Sequence, residues 1–285
     1  MKNAAYLKYF AALLLFGTNG IVASHIALAS CGIVLLRTLT GSAFLAAVFA
    51  LTRQKITFTR SMPDIFFLII SGAAMGASWM FLYEAYRRTG VGASSLAYYC
   101  GPVIVMALSP LIFGEKLTLN KVCGAIAVLC GVFLVDANAA AYSVNFFGLF
   151  CGAMSAVMYA AMVIFNKKAE RITGLENAAL QLFVSFITVA VFTGLTMGFS
   201  FHIDSSDWLS ILILGFLNTG VGCYFYFSSI GSLPVQTVAV CGCIEPLSAV
   251  VFSAIFLKET MSSVQMLGAV LIITGAVFAE LKKQK

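Results

Sequence analysis

Charge is what this sequence has least of. Asp, Glu, Lys and Arg make up 10% of its 285 residues, against about 25% in an ordinary soluble domain. So little polar material cannot cover a water-facing surface, which excludes a soluble globular chain. Histidine is scarce as well, with only His25 and His202, both in apparent loops. No histidine or further cysteine stands where it could complete a zinc site with Cys241 and Cys243. The H-E-x-x-H and G-x-S-x-G signatures are missing, and so is a P-loop. Metallohydrolase chemistry, a nucleophile elbow and direct ATP drive therefore lack support. No ring of charges or filter-like run marks an ion channel. No cofactor or metal is expected.

What is there is hydrocarbon. Hydrophobic residues are 61% of the chain, and they come in long runs such as "AALLLFGTNGIVASHIALAS" and "MLGAVLIITGAVFAEL". A membrane span needs roughly 20 mostly apolar residues. The runs lack the two-residue alternation of barrel strands, so the fold class is an all-α integral membrane protein lodged in a lipid bilayer. Lys2 and Lys8 ahead of an apolar run and "ALAS" imitate a signal peptide. We read this stretch as the first span, because a second follows at once. All eight cysteines lie in or at the ends of apolar runs, where a free thiol packs as a small hydrophobe.

Glycines, prolines and charge clusters cut the chain into ten segments, near 5–24, 30–52, 62–86, 92–113, 119–137, 146–166, 177–198, 207–230, 235–257 and 263–281. Basic residues favour the cytoplasmic side of a membrane protein. With the N-terminus inside, thirteen basic residues fall on the cytoplasmic side and only Arg87, Arg88 and Lys258 opposite; Arg37, within a span, completes the 17. Ten spans with both termini cytoplasmic is the expected topology, in the cell (inner) membrane. The net charge of +6 follows from this bias and is no sign of nucleic-acid binding.

The chain repeats itself. "GEKLTLNKVCGAIAVLCG" (114–131) lies over "KETMSSVQMLGAVLIITG" (258–275) at an offset of 144 residues, pairing Glu115 with Glu259, Gly124 with Gly268 and Gly131 with Gly275. The same offset pairs Pro102 with Pro246, Gly76 with Gly220, Phe81 with Phe225 and Arg37 with Gln181. Segments two to five match seven to ten, and segment one matches six with a slip of about one residue. Five spans is an odd number, so the second half enters the membrane from the other side. The expected domains are a first five-helix repeat, 1–140, and a second, inverted repeat, 141–285. Inverted repeats are a transporter architecture with the binding site near the midplane.

Here the chain resembles the drug/metabolite transporter superfamily, and within it the ten-helix EamA-type transporters. The resemblance rests on Pro102 followed by "FGEKLT", Gly124 and Gly131, on "EPLSAVVFSAIFLKET" followed by Gly268 and Gly275, and on "FLYEAYRRTGVGASS". It implies alternating access by a secondary transporter, usually an exporter of small metabolites.

The residues themselves nominate a site. Pro102 and Pro246 fall about ten residues into the fourth and ninth spans, where proline frees a helical carbonyl and such breaks usually line protein or a water-filled cavity. Glu245 beside Pro246 is the deepest acidic residue, and an intramembrane carboxylate is a functional candidate by default. It reads as a substrate-facing or coupling group, or as a hydrogen-bonded strut of the ninth span. Trp79 and Tyr83 share a face of the third span; Tyr98 and Tyr99 precede Pro102; Tyr159 and Tyr224 lie in the sixth and eighth; Asn19 interrupts the first. Aromatics around one carboxylate suit an amine or quaternary cation. Arg37, within the second span, suits an anionic substrate group, a carboxylate partner or outward snorkelling, and we read it chiefly as structural pairing. Also structural are the Glu84–Arg87–Arg88 cluster, the Ser262–Gln265 capping box, the Thr118 cap, the Gly72/Gly76 and Gly148/Gly152 close-packing pairs, and Glu115 and Glu259 as turn or hinge residues.

The expected function is a secondary active transporter, not an enzyme, that moves a small metabolite such as an amino acid or amine. Export is expected, driven by proton coupling or exchange. The alternative is uptake of a cationic or quaternary ammonium nutrient. Ion conduction ranks below both.

Overall fold

The computed structural model describes residues 2–53, 62–89, 94, 97–135, 145–196, 198–199, 202–256 and 262–280. Span one is α1 (Lys2–Gly17) with α2 (Asn19–Ala23), span two α3 (Ser30–Leu51), span three α4 (Met62–Thr89) and span four α5 (Cys100–Phe113). Span five is α6 (Leu119–Val135), span six α7 (Phe146–Lys168) and span seven α8 (Gly174–Thr196). Span eight runs through α9 (Asp207–Leu212), a π-helical stretch (Ile213–Val221) and α10 (Gly222–Ile230). Span nine is α11 (Val235–Gly242) with α12 (Ile244–Phe256), and span ten is α13 (Ser263–Glu280). Ten spans stand where the apolar runs put them. Among the described residues, six are long and apolar enough to cross a membrane, and four are shorter apolar helices. Leu7, Leu51, Leu111, Phe146 and Leu195 point outward at 73–86% exposure, as suits a surface solvated by lipid.

The halves are inverted, and glycines make it visible. A Cβ on Gly124 would lie 2.6 Å from the Gly275 carbonyl oxygen, and one on Gly131 would lie 2.7 Å from that of Gly268. The paired numbers rise on one helix as they fall on the other, so spans five and ten run antiparallel with backbones in contact. Apolar helices in lipid have no hydrophobic drive to pair, and close van der Waals packing at small residues supplies the attraction instead. Spans two and seven also pack together, and Gly41 meets Leu182 between them. Span three packs on six and seven as span eight packs on one and two; span four packs on six as span nine packs on one.

Local devices close the ends. Ser262 and Gln265 form the expected reciprocal box, with backbone N–H to side-chain oxygen distances of 2.9 and 3.2 Å. Asn145 accepts from the N–H groups of Phe147 and Gly148 and starts span six. Gly72 and Gly76 lie against the backbone of span seven at Gln181 and Ser185. Glu84 bonds Arg87 and Arg88 as its spacing requires. None of the eight cysteines is in a disulfide; Cys100, Cys123 and Cys130 are exposed on helix faces rather than packed inside.

Glu115 is more than a turn residue. Its carboxylate accepts from the N–H groups of Val235 at 2.8 Å and Gln236 at 3.2 Å, capping span nine from across the bundle. Lys167 grips the other side of the same hairpin, donating to the carbonyls of Ile230, Gly231 and Leu233 at 3.0, 3.3 and 2.6 Å. The mate of Glu115, Glu259, lies outside the described residues.

Candidate central site

The two expected prolines break their spans rather than bend them. Each lacks the N–H that would bond the carbonyl four residues back, and its ring crowds that carbonyl. The helix therefore stops one turn earlier and restarts, and each proline lands in the first turn of the new segment, where its missing donor costs nothing. Tyr99 takes φ −70°, ψ −3°; Cys243, 144 residues on, takes φ −72°, ψ 0°. Symmetry-equivalent breaks thus share one backbone conformation.

The side chains around the two breaks differ. Glu245 occupies the first turn of α12, where the positive end of a helix dipole favours an acidic group. Gly101 holds the equivalent place in span four. Glu245 faces a small central cavity of about 60 Å³, walled by spans one, two, three, four, six, eight and nine. Asn19, Trp79, Tyr98 and Tyr159 line it with Glu245. So do Leu13, Phe16, Arg37, Met75, Ser78, Met162, Cys223, Tyr226 and Phe227. A void of that size holds a few waters; sites for small molecules run to about 300 Å³ or more.

A chain of rings borders the cavity. Tyr98 meets Tyr159 edge-on at 5.4 Å. The hydroxyls of Tyr159 and Tyr226 are 3.3 Å apart. Tyr226 packs on Tyr9 at 5.5 Å, and Tyr9 donates to the Val238 carbonyl at 2.7 Å. Gly242 opens onto the Tyr9 and Tyr159 hydroxyls. Beyond span nine lies a crevice of about 1380 Å³ at the bundle end that carries the N-terminus. Phe10, Cys241, Ile244, Leu247 and Val277 line it. Cys241 and Ile244 therefore face the crevice while Gly242 and Glu245 face inward across the same break.

Three expected site residues go elsewhere. Tyr99 forms the break itself and is buried against Val240, Cys243 and Leu247. Tyr224 points away from the cavity, under Lys8 at 5.3 Å. Tyr83 stands one layer back, its hydroxyl accepting from Arg37 at 3.2 Å. Tyr9, Phe16 and Tyr226 were not foreseen as site residues. Aromatic spacing in span one (Tyr6, Tyr9, Phe10, Phe16) was the available signal for the first two.

Arg37 pairs with no carboxylate among the described residues. Its Nε donates to Thr219 Oγ1 at 3.0 Å and its guanidinium lies 4.4 Å from the centre of the Trp79 ring. Thr219 in turn donates to the Leu214 carbonyl, five residues back, inside the π-helical stretch. Asn218 in the same stretch bonds the Leu15 carbonyl, Thr18 and Asn19, fixing the break in span one. π-Helical turns often mark functional sites.

The model of the EamA-like transporter family matches residues 3–136 and again 146–280. The chain belongs to the EamA-like transporter family. An uncharacterized transporter of Bacillus subtilis, YxxF, is 23% identical over 292 residues, covering 99% of this chain and 91% of its own. A Salmonella typhimurium relative named "Probable amino-acid metabolite efflux pump" is 27% identical over 245 residues, 80% of this chain and 79% of its own. A solved crystal structure superposes with TM-score 0.84 over 98% of both chains at 18% identity, which speaks for the fold alone. Family membership and the names of these relatives indicate a multi-pass membrane transporter.

Proposed function

We propose that this EamA transporter exports a small metabolite across the cytoplasmic membrane by alternating access, and that Glu245 carries coupling or substrate contact at its centre. The observation that carries this reading is the placement of Glu245: beside one of two symmetry-equivalent helix breaks, facing a cavity shared by seven spans. Inverted halves supply two related arrangements of the breaks, one open to each side. The repeats divide near residue 140, and both termini lie in the cytoplasm, so the large crevice opens inward. Export agrees with the efflux-pump name of the Salmonella relative. Aromatic rings beside Glu245 also favour the second reading, uptake of a cationic nutrient, but Arg37 in the same wall opposes a ligand of purely positive charge.

Glu245→Gln keeps the shape and removes titration. If Glu245 couples transport to protons, the variant folds and exchanges substrate in proteoliposomes but loses pH-driven accumulation. If Glu245 holds a cationic group, binding itself falls. Lost stability with unchanged transport per folded molecule would reduce Glu245 to a strut and end the proposal.

A further inference from the structure

Arg37 is 3% exposed, deep in span two, and its surroundings hold it still without neutralising it. Thr219 takes Nε, Tyr83 takes Nη1 and Trp79 stacks on the plane. All three partners are uncharged, and Nη2 has no hydrogen-bond partner among the described residues. A buried cation without a counter-ion costs several kcal/mol. Snorkelling is closed off, because the side chain is pinned to spans three and eight.

The repeat shows that the fold does not need this charge. The equivalent residue is Gln181, which packs in span seven and donates to Ser71 Oγ at 2.6 Å as a neutral amide. Position 37 is therefore charged for some reason other than packing. Arg37 and Glu245 line the same cavity yet form no direct ion pair; among the described residues, ion pairs involve only Glu84 and Asp204. Opposite charges thus face one aromatic-lined space without cancelling each other at contact.

We propose that Arg37 is the anion-binding subsite of the central cavity, and that the transported compound carries a carboxylate held there and an amine held by Glu245. This rests on the reading of the cavity as the transport site. A guanidinium offers a planar fork that matches a carboxylate. Nε and one Nη1 hydrogen are already committed, so Nη2 and the second Nη1 hydrogen remain to form that fork with the ligand. The rings of Trp79, Tyr98, Tyr159 and Tyr226 cover the apolar body between the two ends.

Trp79 supplies its own reporter. The chain has two tryptophans, and Trp208→Phe leaves only the one stacked on Arg37. Purified Trp208→Phe protein is titrated with acetate, glycine, leucine and phenylalanine, and with the amine and the carboxamide corresponding to each amino acid. The expected result is a change in Trp79 fluorescence with at least one carboxylate compound, and affinity about tenfold above its amine and amide. Arg37→Gln, the residue the other repeat tolerates, removes that preference while leaving amine binding; Arg37→Lys keeps part of it. Equal binding of acids, amines and amides overturns the proposal. So does a preference that survives Arg37→Gln, or no response to any carboxylate up to about 100 mM, a free energy near 1.4 kcal/mol. Binding with the expected preference but without movement in proteoliposomes upholds the subsite and removes the transport reading alone.

Discussion

Lys167→Met should loosen the hairpin between spans eight and nine without touching the cavity. The methionine keeps most of the apolar stem and deletes the ammonium that caps three carbonyls. Two of those bonds, 2.6 Å to Leu233 and 3.0 Å to Ile230, are short enough to count fully; the third, 3.3 Å to Gly231, is weak. A hydrogen bond from a charged donor contributes about 1.5–3 kcal/mol net. Gly231 and Ser232 are exposed, so water can replace part of what is lost. We expect a cost of about 2 kcal/mol after that discount. Glu115→Gln retains an acceptor for one N–H and loses the charge at the start of span nine, for about 1 kcal/mol. Both residues act on the same short hairpin, so the double variant should fall short of the sum by about 0.5–1 kcal/mol. Reversible unfolding in mixed detergent and SDS measures all three. A Lys167→Met protein as stable as the parent would refute the clamp, and strict additivity would refute the idea that the two residues share a load.

Two further outcomes follow from the fold. Gly131→Ala places a methyl 2.7 Å from the Gly268 carbonyl oxygen and should cost about 1–3 kcal/mol by overpacking in the same assay; Gly20→Ala, with nothing within 4 Å, should be neutral, and equal behaviour of the two would sink the seam. A reporter fused after Lys285 should be active only in its cytoplasmic form; periplasmic activity there would reverse the proposed orientation.

The architecture was legible because its signals are long. A span is a run of about 20 residues, and an offset of 144 aligned glycines that in fact meet across the bundle. The lining of the candidate site was legible where chemistry is conspicuous in hydrocarbon, as at Glu245, Trp79 and Asn19. It was not legible where only direction matters. Tyr224 and Tyr226 are two residues apart and so face different ways on one helix; a span apolar all round gives no moment to choose between them. Tyr99 and Cys243 were hidden because proline acts on the carbonyl four residues behind it, so the break lies before the residue that causes it. Glu115 looked local because its partners, Val235 and Gln236, are 120 residues and more away. Arg37 was legible as a cation within a span, and what sets it apart, the lack of a charged partner among the described residues, shows only in three dimensions.

The contact between spans five and ten obeys the rule of an isologous interface, in which residue i meets j and the copy of j meets the copy of i. Gly124 meets Gly275; exchanging each for its repeat mate gives Gly268 meeting Gly131, the second contact observed. One chain thus makes with itself the bond that a two-fold dimer makes between subunits. Under that rule the four glycines count as two positions. Gly124→Ala and Gly268→Ala are the same lesion seen from opposite faces of the membrane, and a bulky side chain at either spreads the pair at one end only. The seam can therefore be tilted from either side by single substitutions, and separated evenly only by changing both.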